Sequence, residues 1–233
     1  MAGLSAFLLV EAQTGSQAQV LSPDFDKVYY LHGGESHPKL HSFPIMTWNI
    51  DHGSDLEKIA DAMARNPAGI CLLQEVDLDA KRSGQRDIAG ELAHRLHLNG
   101  SFGIEFEELS QEQNLPAYIG QATLTQLPVR SSRVLRFERQ SGFWRPHSWI
   151  PSAAPLMQRR QGGRIALVSE FEFNGRILVV YNAHLESRSA GFIQDHQLDE
   201  MLEDSKRYRP GTAIVLGGDL NTKYLPSIFL HKL

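Results

Sequence analysis

The 233-residue chain contains one cysteine, Cys71. A single cysteine excludes an internal disulfide framework and any cysteine-rich metal site. Cys71 sits in the apolar run Ile70-Cys71-Leu72-Leu73, which suits a small core residue better than a nucleophile. No apolar stretch approaches the ~20 residues needed to span a bilayer, and there is no internal repeat. Neither a G-x-G-x-x-G pattern nor a P-loop lysine surrounds Gly217-Gly218, which makes that pair a poor phosphate cradle.

What remains is an ordinary globular composition, 42% hydrophobic and 21% charged, at a length suited to one domain. Residues 1–42 read as a tail or a shortened export signal, and residues 43–233 as the domain. Gly3 to Val10 is a short apolar run with no Lys or Arg before it, a pattern shared by a cut-down signal and a frayed end. Cytoplasmic and exported locations therefore both stay open. Residues 22–42, rich in His, Pro, Ser and Gly, read as a loose lead-in.

Charge is unevenly placed. Residues 130–164 hold eight arginines and one acid, a local charge of +7 in a chain of net −4, so the rest carries −11. Such a segment suits a localised anionic ligand. The segment reads as a Pro-rich loop through which Phe143, Trp144 and Trp149 are scattered, so Arg159, Arg160, Arg164 and Trp149 are the candidate substrate-binding residues.

The element pattern alternates. Pro44–Ile50 reads as a strand, followed by a helix capped at Ser54 with Glu57 completing a capping box. Gly69–Gln74 reads as a buried strand, 87–97 as a helix, and 101–106 and 118–126 as strands. Asn174-Gly175 marks a hairpin between 164–173 and 176–183. A helix over 190–206 leads to a strand at 213–216. Helices mixed with crossover strands and a hairpin imply α/β: a four-layer sandwich of two packed mixed sheets flanked by helices.

Four segments end apolar runs in residues that bind cations or phosphate: Thr47-Trp48-Asn49-Ile50-Asp51, Leu73-Gln74-Glu75-Val76, Asn182-Ala183-His184-Leu185-Glu186-Ser187 and Gly217-Gly218-Asp219-Leu220-Asn221-Thr222. Glu75 closes an apolar strand, where a carboxylate is costly unless paired or cation-bound. Mg²⁺ is held by one or two acids, completed by water and substrate phosphate. Asp219 and Asn221, two apart, suit a carboxylate that activates water and an amide that orients it. His184 can donate to a phosphoryl oxygen as charge builds there, with Asn182 two residues earlier on the same face.

These segments resemble the endonuclease/exonuclease/phosphatase superfamily of deoxyribonuclease I-like proteins. Trp48-Asn49, Gln74-Glu75, His184 and Gly218-Asp219-Leu220-Asn221 fall in that family's order, and Gly120-Gln121-Ala122 resembles its G-N-A strand with Gln for Asn. Trp48-Asn49-Ile50-Asp51 and His184-Leu185-Glu186-Ser187 are most similar to the 5′ tyrosyl-DNA phosphodiesterase type. The resemblance implies a hydrolase acting on a phosphoester, possible nucleic acid included, with Mg²⁺ or Mn²⁺ held by Asn49 and Glu75 beside Asp51. It also implies that Asp219, Asn221 and Asn182 support water attack while His184 stabilises the phosphoryl group. Family members run on to a terminal Ser-Asp-His, whereas His231 here follows Leu230, so the resemblance implies a C-terminally incomplete fold and site. Two alternatives follow: a weakly active or non-catalytic phosphate-binding remnant, and a phosphomonoesterase or lipid phosphodiesterase of the same superfamily.

Overall fold

A computed structural model describes residues 24–37, 42–109, 116–142, 160–189 and 191–222. Ten strands among them form two sheets. The first comprises β1 (Val28–His32), β4 (Asn99–Glu108), β5 (Tyr118–Thr125), β3 (Ile70–Leu78) and β2 (Ile45–His52), in that spatial order, with β7 (Arg160–Gly162) also paired to β4. The second runs β10 (Ala213–Asp219), β9 (Arg176–His184), β8 (Ile165–Phe173), β6 (Val129–Arg136). Each sheet is mixed: β2–β3 and β10–β9 are parallel and the other pairs antiparallel.

Period-two alternation along β3 explains the layering. Cys71 and Leu73 face a cluster with Leu56, Ile59 and Met63 of α1 (Leu56–Arg65) and Ile88, Ala89 and Leu92 of α2 (Ile88–Arg95). Ile70 and Leu72 point the other way, onto Phe171, Leu178 and Val180 of the second sheet. The far face of that sheet, through Val168, Val179 and Tyr181, is covered by Leu198 and Met201 of α3 (Phe192–Ser205). The result is the expected α/β/β/α sandwich. Each fully buried Leu of such layers stabilises the fold by about 1.5–3 kcal/mol. Cys71 is buried among them, and burial pushes its thiol up to about 12, which suits an inert core residue.

Three expectations need correction. Val28–His32 lies inside the stretch read as a loose lead-in, yet it pairs with Asn99–Gly103 as a strand. Its signal was weak because only five residues are involved and just Leu31 is buried. The first helix is capped by Asp55, which accepts from the Lys58 backbone, and not by Ser54, whose hydroxyl donates to the Asp51 carbonyl. Part of the arginine-rich segment is the strand β6, not a loop. There Arg133 pairs with Asp204, and Arg136 donates to the carbonyls of Phe25, Ile104 and Gly163.

The hairpin reads as expected. Phe173 faces Arg176 across a two-residue turn in which Asn174 (φ 49°) and Gly175 (φ 73°) are both left-handed, the combination that matches strand twist. No helix among the described residues is long and apolar enough to cross a membrane.

Candidate active site at the rim of the two sheets

Asp219 and His184 are the last residues of β10 and β9, and they face each other in the parallel register. Gly218 makes this pairing close: at φ 130°, an added Cβ would lie 1.9 Å from the Ala183 carbonyl oxygen. The site therefore needs glycine beside its aspartate.

The first sheet delivers its residues differently. Between Leu73 and Val76, Gln74 and Glu75 oppose the single residue Gln121 of β5, and Ile50 and Asp51 of β2 oppose Glu75. These are β-bulges, which re-aim side chains. Glu75 accordingly has φ 53°, Asp51 46° and His52 69°. Glu75 thus does not close its strand, as the sequence implied. β3 continues to Leu78, and a mid-strand bulge turns the carboxylate to the rim.

The four segments converge. The Asn49 amide Nδ2 donates to Glu75 Oε1 and to Asp219 Oδ2, each at 3.1 Å. His184 Nε2 lies 3.9 Å and 3.8 Å from the same two oxygens. Two carboxylates, an amide and an imidazole from four strands of two sheets thus meet around two oxygen atoms. Burial pushes the Asp219 carboxyl up, but hydrogen bonds from Asn49 and the Asn221 backbone, with His184 and Arg164 nearby, hold it below the usual carboxylate range.

Behind His184 lies a group absent from the sequence reading. Its Nδ1 is 3.1 Å from Oε2 of Glu105, which is fully buried. Glu105 is itself a bulge residue, inserted between Ile104 and Phe106 where β4 pairs with β5. Its other oxygen accepts from Arg164 Nη1 at 2.7 Å. That same Nη1 lies 2.9 Å from both ring nitrogens of His184, which puts it over the ring face, since an in-plane position would overlap Cε1. Burial raises the Glu105 carboxyl, but the charges of His184 and Arg164 and their hydrogen bonds outweigh it and leave it ionised.

The other expected residues fall into distinct places. Asn182 is fully buried beneath His184, accepting from Gln74 Nε2 at 2.7 Å and donating to the Leu73 and Ala122 carbonyls, so it ties the two sheets together below the rim. Asn221 donates to the Leu185 carbonyl at 2.9 Å, and its backbone N–H reaches Asp219 Oδ1 at 3.0 Å. Glu186 is buried and accepts backbone N–H groups from Ser141, Ser187 and Arg188, anchoring the loop after β9. Arg164 is only 3% exposed and turned inward, with Nη2 on Ser187. Arg160 reaches Glu108 at 2.6 Å. Asp51 stands at the rim with its side chain 89% exposed. Arg159 and Trp149 lie outside the described residues.

His52 was also missed. Its Nε2 is 3.6 Å from Glu75 Oε2 and 3.7 Å from Asp51 Oδ1, and these donor atoms lie within 4.8 Å of one another. The available signal was its place directly after Asp51 in Asn49-Ile50-Asp51-His52. A divalent cation fits this donor chemistry: hard oxygens from Glu75 and Asp51 with an imidazole nitrogen beside them.

Two packed mixed sheets, flanked by helices and carrying an acid–imidazole cluster at one rim, make this a deoxyribonuclease I-like α/β sandwich. The chain belongs to the endonuclease/exonuclease/phosphatase family, whose model matches residues 46–231. Family members are generally hydrolases of phosphoesters that use a divalent metal. Among solved structures, it is similar to the human Nocturnin catalytic domain at 18% identity and TM-score 0.57, covering 88% of this chain and 71% of that one. It is similar to an endonuclease/exonuclease/phosphatase protein of Beutenbergia cavernae at 20% identity and TM-score 0.52, covering 78% and 49%. TDP2 from C. elegans gives 23% identity and TM-score 0.49, covering 76% and 47%. At these identities the likeness is one of fold, and the chain spans about half the length of the latter two. No curated protein matches the chain.

Proposed function

We propose that this protein hydrolyses a phosphodiester, in the manner of a nuclease, by water attack at phosphorus assisted by a divalent cation, Mg²⁺ or Mn²⁺. The observation that supports this most is the convergence of Asn49, His184, Glu75 and Asp219 on two shared oxygen atoms. Two carboxylates gathered at one rim repel unless a cation or donors lie between them, and phosphoryl transfer needs that combination of positive charge and positioned acceptors.

The residues divide the work. The cation would be held by Glu75 and Asp51, with Asn49 beside them, and would supply Lewis-acid polarisation of a phosphoryl oxygen. Asp219, kept ionised by Asn49 and the Asn221 backbone, accepts a hydrogen bond from the attacking water and orients it. Its low proton affinity suits orientation better than full proton abstraction. His184 presents Nε2 on the same side, where a proton it carries can be donated to the phosphoryl oxygen as charge develops. Glu105 on Nδ1 and Arg164 over the ring fix the imidazole in that direction. Four described arginines of the basic segment are bonded within the chain, to Asp204, to backbone carbonyls, to Glu108 and to Glu105. That disfavours an arginine-gripped head group as the substrate.

The test is direct. The 233-residue chain, with Mg²⁺ or Mn²⁺, is expected to release p-nitrophenol from bis(p-nitrophenyl) phosphate and to shorten single-stranded DNA. Cation-dependent binding of inorganic phosphate with no product from either substrate would replace this reading with that of a phosphate-binding remnant.

A further inference from the structure

The Glu75 carboxylate faces two different surroundings. Oε1 accepts from Asn49 Nδ2, an N–H donor that does not ligate a cation, whereas Oε2 faces His52 Nε2 and the exposed Asp51. On the Oε2 side the donors are all lone-pair donors. Bonds of ~2.1 Å to one ion place neighbouring donor atoms on the order of 3 Å apart. The observed 3.6 and 3.7 Å need only a small contraction.

His52 also has the support of a ligating histidine. Its Nδ1 is buried, with Oδ1 of Asp77 at 3.5 Å and no closer partner. Asp77 is fully buried and gripped in fork fashion by Arg82, whose Nε and Nη2 donate at 2.7 and 2.5 Å. Arg82 is in turn held by Glu108, which also accepts from Arg160. A carboxylate behind Nδ1, itself locked by arginine, favours the tautomer that leaves the Nε2 lone pair free to bind a cation.

We propose that His52 is a protein ligand of the catalytic cation, positioned by Asp77, and that its imidazole gives the site a preference for Mn²⁺-class ions over Mg²⁺. The inference rests on the cation-assisted reading above. Imidazole nitrogen suits first-row transition metals, and affinity at nitrogen-bearing sites rises along that row, while Mg²⁺ favours an all-oxygen shell. Carboxylate oxygens alone discriminate less.

Binding of the bare ions distinguishes the roles without any activity measurement. Free Mn²⁺ is counted by its EPR signal during titration of the full chain, and Mg²⁺ is followed by its displacement of Mn²⁺. Wild type is expected to bind one Mn²⁺ more tightly than Mg²⁺. His52→Gln should weaken Mn²⁺ by about 10–100-fold and Mg²⁺ by far less, collapsing the preference. Asp51→Asn, a change at a side chain 89% exposed that leaves folding intact, should weaken both ions by similar factors. Equal losses of both ions in His52→Gln overturn the proposal. So does tighter binding in that variant, which would make the protonated imidazole a rival of the cation. If wild type binds neither ion, the cation-assisted reading falls with it. If Mn²⁺ and Mg²⁺ bind alike and respond only to Asp51→Asn, that reading stands and the role of His52 fails.

Discussion

The two sheets place their site residues by opposite means. The second sheet is regular where it matters: Ala213 to Asp219 run in unbroken parallel register with Leu178 to His184, and the site residues are simply where the two strands stop. The first sheet is broken at every contributing position except Asn49, which keeps its register with Gln74. Bulges occur at Ile50–Asp51, at Gln74–Glu75 and at Glu105, with left-handed backbone at Asp51, His52 and Glu75. The strand ends at His184 and Asp219 need no left-handed non-glycine residue, although Gly218 (φ 130°) and Asn221 (φ 49°) flank Asp219, whereas each left-handed non-glycine residue costs about 1–2 kcal/mol. In the proposed mechanism the regular sheet carries the groups assigned to water and phosphate, and the irregular one carries the candidate cation ligands and Glu105 behind His184.

Asp219→Asn is the sharpest probe of the regular side. It keeps the shape but loses the charge proposed to orient water, so kcat should fall about 10²–10⁴-fold with the melting temperature nearly unchanged. A comparable loss of stability would mean that the carboxylate holds the strand end and not the water.

Glu105→Gln probes the irregular side. The amide can still accept from Arg164, but it no longer balances a proton on His184 Nδ1. If His184 is thereby misaligned, kcat should fall by about 10²-fold with KM little changed. Thermal melts across pH add an independent check. Glu105, Asp77 and Asp219 are all held below their unfolded values of ~3.9–4.3. Their contribution is fully present above those values and is lost as pH falls through them towards the folded ones. Stability should therefore be flat from neutrality to about pH 5 and decline below about pH 4, and Glu105→Gln should make that acid limb shallower. An unchanged limb would mean that Glu105 is not ionised in the folded protein.

Gly218→Ala tests the close pairing that delivers Asp219. With Cβ 1.9 Å from the Ala183 oxygen and φ at 130°, β10 must shift away from β9. We expect a loss of about 1–3 kcal/mol in chemical denaturation, with activity falling because Asp219 moves with its strand. Full activity would show that the Asp219–His184 register tolerates displacement.

Local patterns were legible in the sequence, and pairings between distant strands were not. The hairpin at Asn174-Gly175, the apolar stripe Leu56, Ile59, Ala60, Met63 and the four polar segments are local patterns, and local patterns are legible. His184 and Asp219 were legible because a strand end shows as an apolar run that stops. Glu105 and His52 were not. A bulge is a count of two residues against one across a pair of strands, so it depends on the partner and leaves no periodic trace. Asp77 and Arg82 are five residues apart in sequence, but the side of His52 on which they pair is decided by the fold. The arginine-rich segment misled for the same reason. Its charge was plain, but Asp204, Glu108 and Glu105, which take up three of its arginines, lie far away in the chain.

The smallest effect discriminates best, because it predicts opposite signs at the two sites. At Glu75, φ is 53°, a conformation that strains any Cβ-bearing residue, whereas Asp219 is not among the described residues with positive φ. Replacing each by Ala and then by Gly removes the carboxylate in both cases and leaves only the backbone to report. At position 75, Gly should be more stable than Ala by about 1 kcal/mol, because glycine takes the left-handed conformation without strain. At position 219, Gly should be less stable than Ala by roughly 0.5–1 kcal/mol, because an extended strand gains nothing from glycine's freedom and loses entropy on folding. Both differences are read as denaturant midpoints at constant slope. The same sign at the two positions would mean that the bulge relaxes once Glu75 is gone, and that the strain comes from drawing its carboxylate to the rim and not from the strand pairing itself.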